Sequence, residues 1–266
     1  MAEGLWLNVA LAKLNLEDNR VGAEGAEALA KALQNSPVLT EISLSGNGIG
    51  VGGAKALVEA LRRSGTLTAL DLAGSGIGDN VAEALAEALR HNSALVKLSL
   101  EDNGIGAEGA KALAEVLRHN GGLTELSLWD NEIGNEGAKA LAEVLWNNSD
   151  LIELRLGGNR IGDEGAVALA EALRHNGTLT KLEISCNDIS ACVRREVDEA
   201  LEAGGRWQHV SSAVLRHAVT SASPYLPLFL GEYVTSVACP ALLRMLKYPR
   251  PLTPPCLGRS SPKTSS

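Results

Sequence analysis

The stretch LTELSLWDNEIGNEGAKALAEVL, which runs from Leu123 to Leu145, decides the fold of this chain. Its early LSL segment alternates apolar and polar residues, which is typical of a short strand with one buried face. Its later AKALAEVL segment places apolar residues at positions i, i+3, i+4 and i+7, which form one stripe along a helix. The pattern therefore predicts a strand, a turn and a helix within one short unit.

This unit recurs at a fixed step of 28 residues along residues 1–202. An apolar LxL frame precedes each turn, and the turn holds Asn in six copies and Ser75 in the third. We expect these amides to be a structural ladder, because a buried amide can both donate and accept hydrogen bonds at the turns. Ser75 has a shorter reach, so we expect the third turn to be the weakest. The ladder residues are Asn19, Asn47, Asn103, Asn131, Asn159 and Asn187.

No single unit can bury its apolar stripe alone, so neighbouring units must stack to make one continuous core. Parallel strands lie about 4.8 Å apart, whereas packed helices lie about 8–10 Å apart. The helix side of the stack is therefore longer than the strand side. We predict an α/β solenoid shaped like a horseshoe, with a parallel β-sheet on the concave face and helices on the convex face.

The repeating frame LxxLxLxxNxIGxxGAxxLAxxL resembles the ribonuclease-inhibitor-like class of leucine-rich repeats. Its most regular copies, such as residues 123–145, are most similar to the repeat domains of NOD-like receptors. The resemblance implies a protein without catalytic activity that binds another protein on its concave strand face. The same class includes ribonuclease inhibitor and the Ran GTPase-activating protein, so a regulator of an enzyme is the alternative. A fragment of a NOD-like receptor is a third interpretation.

The composition divides the chain into three parts. Residues 1–202 form the predicted repeat domain, with seven 28-residue repeats and a partial N-terminal unit, since Leu5 is in register with Leu33. Residues 203–248 lack the repeat, and helical spacing around Trp207 favours a helical cap within them. Residues 249–266 are rich in Pro and Ser, which is typical of disorder.

Charge and composition exclude several classes of partner. Residues 1–202 carry 17 basic and 31 acidic side chains, so we expect no nucleic-acid binding through a basic surface. No uncharged apolar stretch reaches the length of about 18 residues that a membrane span needs. The N-terminus lacks the basic region of a secretory signal, and we expect a cytoplasmic monomer. The four Cys form no CxxC pair, and we expect reduced thiols.

The strand residues that point to the concave face offer a candidate binding surface. Trp129 is the one large ring among them, and an exposed Trp is typical of a binding anchor. Alternatively, the ring lies flat over Gly157 and has no partner. The surrounding charges either attract a basic partner or pair across adjacent strands, as Lys97–Glu125, Glu153–Lys181 and Arg155–Glu183. The predicted partner-binding residues are Glu101, Glu125, Trp129, Glu153, Arg155 and Glu183.

The sequence favours no cofactor, metal or catalytic site. Residues 48–53 spell GxGxxG, the dinucleotide fingerprint, but the repeat explains these glycines better. Gly48 aligns with Arg20, Glu132 and Arg160 in other copies, which a phosphate-binding loop would not allow. His91, His119 and His175 share one slot at a helix end, and equivalent positions on neighbouring helices lie about 8–10 Å apart, which is too wide for one metal ion. We therefore predict that the protein is not an enzyme.

Overall fold

A computed structural model of the protein describes Asn8 and residues 10–204. These residues lie in the first of two compact units, Met1–Gln208, and the second unit is His209–Ser266. Most of the partial N-terminal unit, nearly all of the predicted segment 203–248 and the whole segment 249–266 lie outside the described residues. The division of the chain into three parts therefore stays a prediction.

Strands of three residues alternate with helices throughout the described residues. The helix bounds are α1 Gly22–Asn35, α2 Gly50–Leu61, α3 Gly78–Leu89, α4 Ala107–Leu117, α5 Gly134–Leu145 and α6 Asp163–Leu173, and a further helix, α7, covers 191–204. The strands are β1 Lys13–Asn15, β2 Glu41–Ser43, β3 Ala69–Asp71, β4 Lys97–Ser99, β5 Glu125–Ser127, β6 Glu153–Arg155 and β7 Lys181–Glu183.

The seven strands form one parallel sheet in chain order. Every residue of strands β1 to β6 is in register with the residue 28 positions later, as Leu98 is with Leu126. A parallel ladder with this constant offset is what stacking of identical units requires. The predicted α/β repeat solenoid is confirmed.

The core lies between the sheet and the helices. Within the described residues, its buried apolar members are all Ala, Val, Leu or Ile. The layer is thin because small residues let each helix approach its neighbour: a Cβ on Gly137 would stand 2.9 Å from the Cβ of Ala110 in the preceding helix. Larger rings would hold the layers apart, which is the physical reason for the low aromatic content.

Buried amides at the turns after the strands bridge adjacent repeats. The Asn103 Nδ2 donates to the carbonyl oxygens of Leu72 and Glu101, at 2.9 Å each. Its Oδ1 accepts from the backbone N–H groups of Ser75, at 3.0 Å, and Ile77, at 3.2 Å. One side chain therefore satisfies backbone groups in two successive turns. Similar bridges to the preceding repeat are formed by Asn47, Asn131, Asn159 and Asn187.

The third turn lacks the equivalent bridge. The described side-chain hydrogen bond that Ser75 donates runs from its Oγ to the Ala73 carbonyl within the same repeat, at a long 3.5 Å. At the other interior turns, the Asn side chain of the next repeat bonds to the backbone of the turn. The turn at Asn47 receives no such bond, because the next repeat has Ser75 at this position.

A second ladder of amides joins the helix ends, and it was not among the sequence-based expectations. The Asn120 Nδ2 donates to the carbonyl oxygens of Leu89, at 2.7 Å, and Asn92, at 2.8 Å. Its Oδ1 accepts from the N–H groups of Gly122 and Leu123, at 3.0 and 2.9 Å. The signal was present as a second series with a step of 28, in which Ser holds the first two places: Ser36, Ser64, Asn92, Asn120, Asn148 and Asn176.

Three helices begin on a cap that comes from the preceding repeat. The Asp79 Oδ1 accepts from the backbone N–H groups of Gly106, at 2.7 Å, and Gly109, at 3.0 Å. These are donors that the first turn of a helix leaves unsatisfied. Asn135 caps Gly162 and Gly165 in the same way, and Asp163 caps Ser190.

The cap from the preceding repeat decides the backbone conformation at the helix start. The capped Gly106 and Gly162 have extended backbones, with φ of −92° and −95°. Where the preceding repeat offers Ala23, Val51 or Ala107 at the capping place, the helix starts on a glycine with φ between 60° and 63°, a region that favours glycine. Ser190 can therefore replace this glycine, because Asp163 caps its repeat.

Replacing Ser75 by Asn should stabilise the repeat domain. The new amide can satisfy the turn at Asn47, and each new hydrogen bond adds about 1 kcal/mol to the free energy of unfolding. Urea unfolding followed by circular dichroism measures the change, and Ser75→Ala, which supplies no amide, is the matched control. A midpoint for Ser75→Asn no higher than that of the control would contradict the role given to the amides.

Replacing Asp79 by Ala should destabilise the protein, because two N–H groups at the start of α4 lose their acceptor. Loss of a helix cap costs about 0.5–2 kcal/mol. The Asp79→Asn variant should keep most of the stability, since Asn135 performs the same task two repeats later. Thermal unfolding of the three proteins tests this, and equal losses in both variants would show that capping is not the cause.

Candidate functional site

A groove of about 610 Å³ runs along the concave face of the sheet, which points away from the helices, and it is lined by residues of strands β1 to β6. Its floor is made of small side chains, including those of Ser43, Ala69 and Ser99, with Asp71 near the middle. Longer side chains stand along its length. The groove is hollow because the sheet is concave and its central residues are short.

Six carboxylates and three basic side chains line the groove. Ion pairs form along its first row: the Lys13 Nζ lies 2.7 Å from Glu41 Oε1, and the Lys97 Nζ lies 2.8 Å from Glu125 Oε1. The hydrogen bond to Glu125 raises the pKa of Lys97. Exposed pairs of this kind add little to stability, because solvent screens the two charges. Their main effect is to neutralise one edge of the groove.

Glu153 lies at the centre of a small charge network. Its Oε1 accepts from the Lys181 Nζ at 2.8 Å and from the Arg155 Nε at 2.5 Å. The hydrogen bond from Lys181, followed by that from Arg155, lowers the pKa of Glu153. Arg155 also lies 3.9 Å from Glu101. The described ion pairs of Arg155 are therefore with Glu153 and Glu101, and the pairing with Glu183 considered from the sequence is not among them.

The Trp129 ring lies over Gly157 and is half-buried. A Cβ on Gly157 would meet the ring carbons Cζ3 and Cε3 at 2.5 and 2.6 Å, and the Glu183 Oε2 at 2.6 Å. The ring and the carboxylate therefore share the space that a side chain at this glycine would fill. This is the placement of the ring that the second interpretation of the sequence described.

The Glu183 carboxylate is only partly satisfied. Its Oε1 accepts from the backbone N–H of Ser185 at 2.8 Å. Its Oε2 is shielded from solvent and has no hydrogen-bond partner among the described residues. This is the one such side-chain atom in the described part of the chain. A carboxylate oxygen in this state is electrostatically unfavourable unless a donor or a cation approaches it.

The structure divides the six predicted contact residues into two groups. Glu101, Glu125, Glu153 and Arg155 line the groove. Trp129 and Glu183 lie outside it and form a cluster above Gly157, which we call the Trp129–Glu183 cluster. The prediction did not choose the floor residues over β2 to β4, although the run of Ser and Ala in those strands was the signal for a hollow.

A hydrogen bond crosses the floor of the groove between β2 and β3. The Asp71 Oδ2 accepts from the Ser43 Oγ at 3.0 Å, and the Asp71 Oδ1 accepts from the N–H of Ala73 at 3.1 Å. These contacts fix the Asp71 carboxylate at the centre of the hollow. The hollow thus presents a carboxylate without an ion pair among the described residues.

Other residues considered from the sequence have local roles. Gly48, in the turn before α2, adopts a φ of 57°, and Gly50, the first residue of α2, adopts a φ of 60°. His175 stacks on Trp146 of the preceding repeat, with ring centroids 3.8 Å apart. No group of three His, Cys, Asp or Glu among the described residues could hold a metal ion.

Cys186, the one described cysteine whose state is established, is free and exposed. Within the described stretch, no helix combines the length and the apolar character needed to cross a bilayer.

Two family models match the sequence. The model described as "TMOD/LMOD Leucine-rich domain" matches residues 46–153, and the model described as "Leucine Rich repeat" matches residues 9–30, 147–170 and 175–191. No curated protein matches the chain.

Solved structures also match the chain. The structure of "Leiomodin-1 Actin-Binding Site 2 (ABS2)" is 22% identical, with a TM-score of 0.46, over 71% of this chain and 95% of that one. The tropomodulin C-terminal domain of Caenorhabditis elegans is 17% identical, with a TM-score of 0.37, over 80% of this chain and 98% of that one.

Proposed function

The chain is a leucine-rich-repeat protein, and on this premise we propose that it is a non-catalytic protein-interaction module that binds a partner on its concave sheet face. The observation that carries the proposal is the groove of about 610 Å³ along that face. It is long, open and lined by side chains whose backbone the parallel ladder fixes. Such a surface suits an extended protein segment better than a small molecule.

Rigidity supports this function. The groove residues stand on strands that the sheet and the two amide ladders join, so little conformational entropy is lost when a partner binds. The remaining entropic cost of binding is that of ordering the partner segment. A module of this kind needs no cofactor, and none is part of the proposal.

The charges of the groove indicate the chemistry of the partner. Its lining carries three more carboxylates than basic groups, and the ion pairs leave Glu17 and Asp71 without a described cation. Complementary charge increases the association rate and disfavours acidic partners. We therefore propose a protein partner with a basic surface, and neither nucleic acid nor membrane. The proposed contact residues remain Glu101, Glu125, Trp129, Glu153, Arg155 and Glu183, to which the groove adds Ser43, Asp71 and Ser99.

The cellular role that we propose is signalling of the NOD-like-receptor type, in a cytoplasmic monomer. It rests on the resemblance of the regular repeats. The alternative is regulation of an enzyme, as in ribonuclease inhibitor or the Ran GTPase activator. A GTPase assay with the purified chain separates the GTPase-activator form of this alternative from simple binding, since only that form predicts stimulation.

Blocking the floor of the groove should abolish partner binding. Ser99→Trp fills the hollow with a large ring and should reduce capture of the partner at least tenfold, whereas Ser149→Trp, in an exposed turn outside the sheet, should not. Quantitative mass spectrometry of proteins captured by the three forms of the full chain makes the comparison. Purified actin is included as one bait, because the matching leiomodin structure is that of an actin-binding site. If no bait or captured protein is lost with Ser99→Trp and kept with Ser149→Trp, the proposed binding face is wrong.

A further inference from the structure

We propose that the Trp129–Glu183 cluster is the seat for one arginine side chain of the partner protein. The inference rests on the proposed function and names the chemistry of one contact within it. It follows from three observations on the described residues: an unneutralised carboxylate, a ring held beside it, and neighbouring basic groups that are engaged elsewhere.

The carboxylate is that of Glu183, whose shielded Oε2 has no partner among the described residues. Its neighbours in the sheet do not neutralise it. Arg155 is in register with Glu183 on the adjacent strand but turns to Glu153 and Glu101, and Lys181 pairs with Glu153. Among the described residues, Glu183 therefore lacks the cation that its position in the ladder would supply.

The ring is that of Trp129, which extends over the following repeat because Gly157 has no side chain. The same column carries Ser45, Ala73 and Ser185 in other repeats, so the ring is particular to this place. A Trp face attracts cations more strongly than any other aromatic side chain does. Trp129 is only half-buried, and part of it remains accessible to a partner.

A guanidinium fits this pair of groups better than an ammonium. It is planar, so it can stack on the ring, and its N–H groups form a fork that can donate to the Glu183 carboxylate once a small shift of the ring uncovers the shielded Oε2. It is also less strongly hydrated than an ammonium, which lowers the cost of entering a half-buried site. We therefore expect arginine to bind more tightly than lysine.

The test uses the full chain and fluorescein-labelled nine-residue peptides in which Gly alternates with Arg, with Lys or with Gln. Fluorescence anisotropy at physiological salt measures binding to the wild type and to variants. Trp129→Ala and Glu183→Gln should each weaken binding of the Arg peptide at least fivefold. Gly157→Ala should also weaken it, because the new methyl group displaces the ring and the carboxylate together. The Lys peptide should bind more weakly than the Arg peptide, and the Gln peptide should not bind.

Glu83→Gln is the matched control, since it removes the same charge from an exposed place on α3 and should change the affinity less than twofold. Thermal unfolding separates binding from structure. Glu183→Gln should not lower the unfolding midpoint, because it removes an unneutralised charge, whereas a purely structural role for Glu183 predicts a lower midpoint.

Three results would overturn the inference. The wild type does not bind the Arg peptide; Glu183→Gln weakens binding no more than Glu83→Gln does, so that only the overall charge matters; or the Lys peptide binds as tightly as the Arg peptide. A captured protein that Ser99→Trp loses and Glu183→Gln keeps would overturn this inference while leaving the proposed function intact. The opposite combination is also informative. If binding of the Arg peptide depends on the Trp129–Glu183 cluster but Ser99→Trp changes the capture of no protein, the arginine site is supported and the proposed function is contradicted.

Discussion

Satisfaction of buried backbone groups between repeats is the constraint on which the rest of the structure depends. Every repeat turns sharply twice, once after its strand and once after its helix, and each turn directs N–H and C=O groups toward the neighbouring repeat. Side-chain amides meet this demand because one amide can donate and accept at once. Asn103 does so at the first turn and Asn120 at the second. The apolar layer between the two rows of amides can then pack without leaving polar groups unpaired.

The same constraint explains why the repeats tolerate so little change in length. An insertion in one unit would move its amide away from the carbonyl and N–H groups that it serves in the preceding unit. Contacts between units also replace local signals. Asp79, in α3, caps the start of α4 in the next repeat, and this cap decides whether the first glycine needs a positive φ. Much of what resembles local sequence preference in this chain is therefore contact between repeats.

The resulting sheet holds its exposed side chains in fixed positions. Small residues over β2 to β4 make a hollow, and ion pairs such as Lys97–Glu125 neutralise one of its edges. Toward the C-terminal end of the sheet, the absence of a side chain at Gly157 leaves a space that the side chains of Trp129 and Glu183 share. The surface is thus uneven in shape and in charge although its scaffold is regular. This combination of a uniform frame and particular side chains is what a selective binding face requires.

The sequence alone determined the fold, since a step of 28 residues with an LxL frame and an apolar helix stripe has one way to bury its stripes. It also identified Trp129 and its charged neighbours, because strand alternation fixes which residues point outward. Only the tertiary structure decided how those side chains share space. Arg155 turns to Glu153 and Glu101 and not to Glu183, and the ring of Trp129 leans over Gly157. Strand register brings residues side by side, but the direction of each long side chain depends on the competing charges and the free volume around it. The spacing of residues along the sequence does not contain this information.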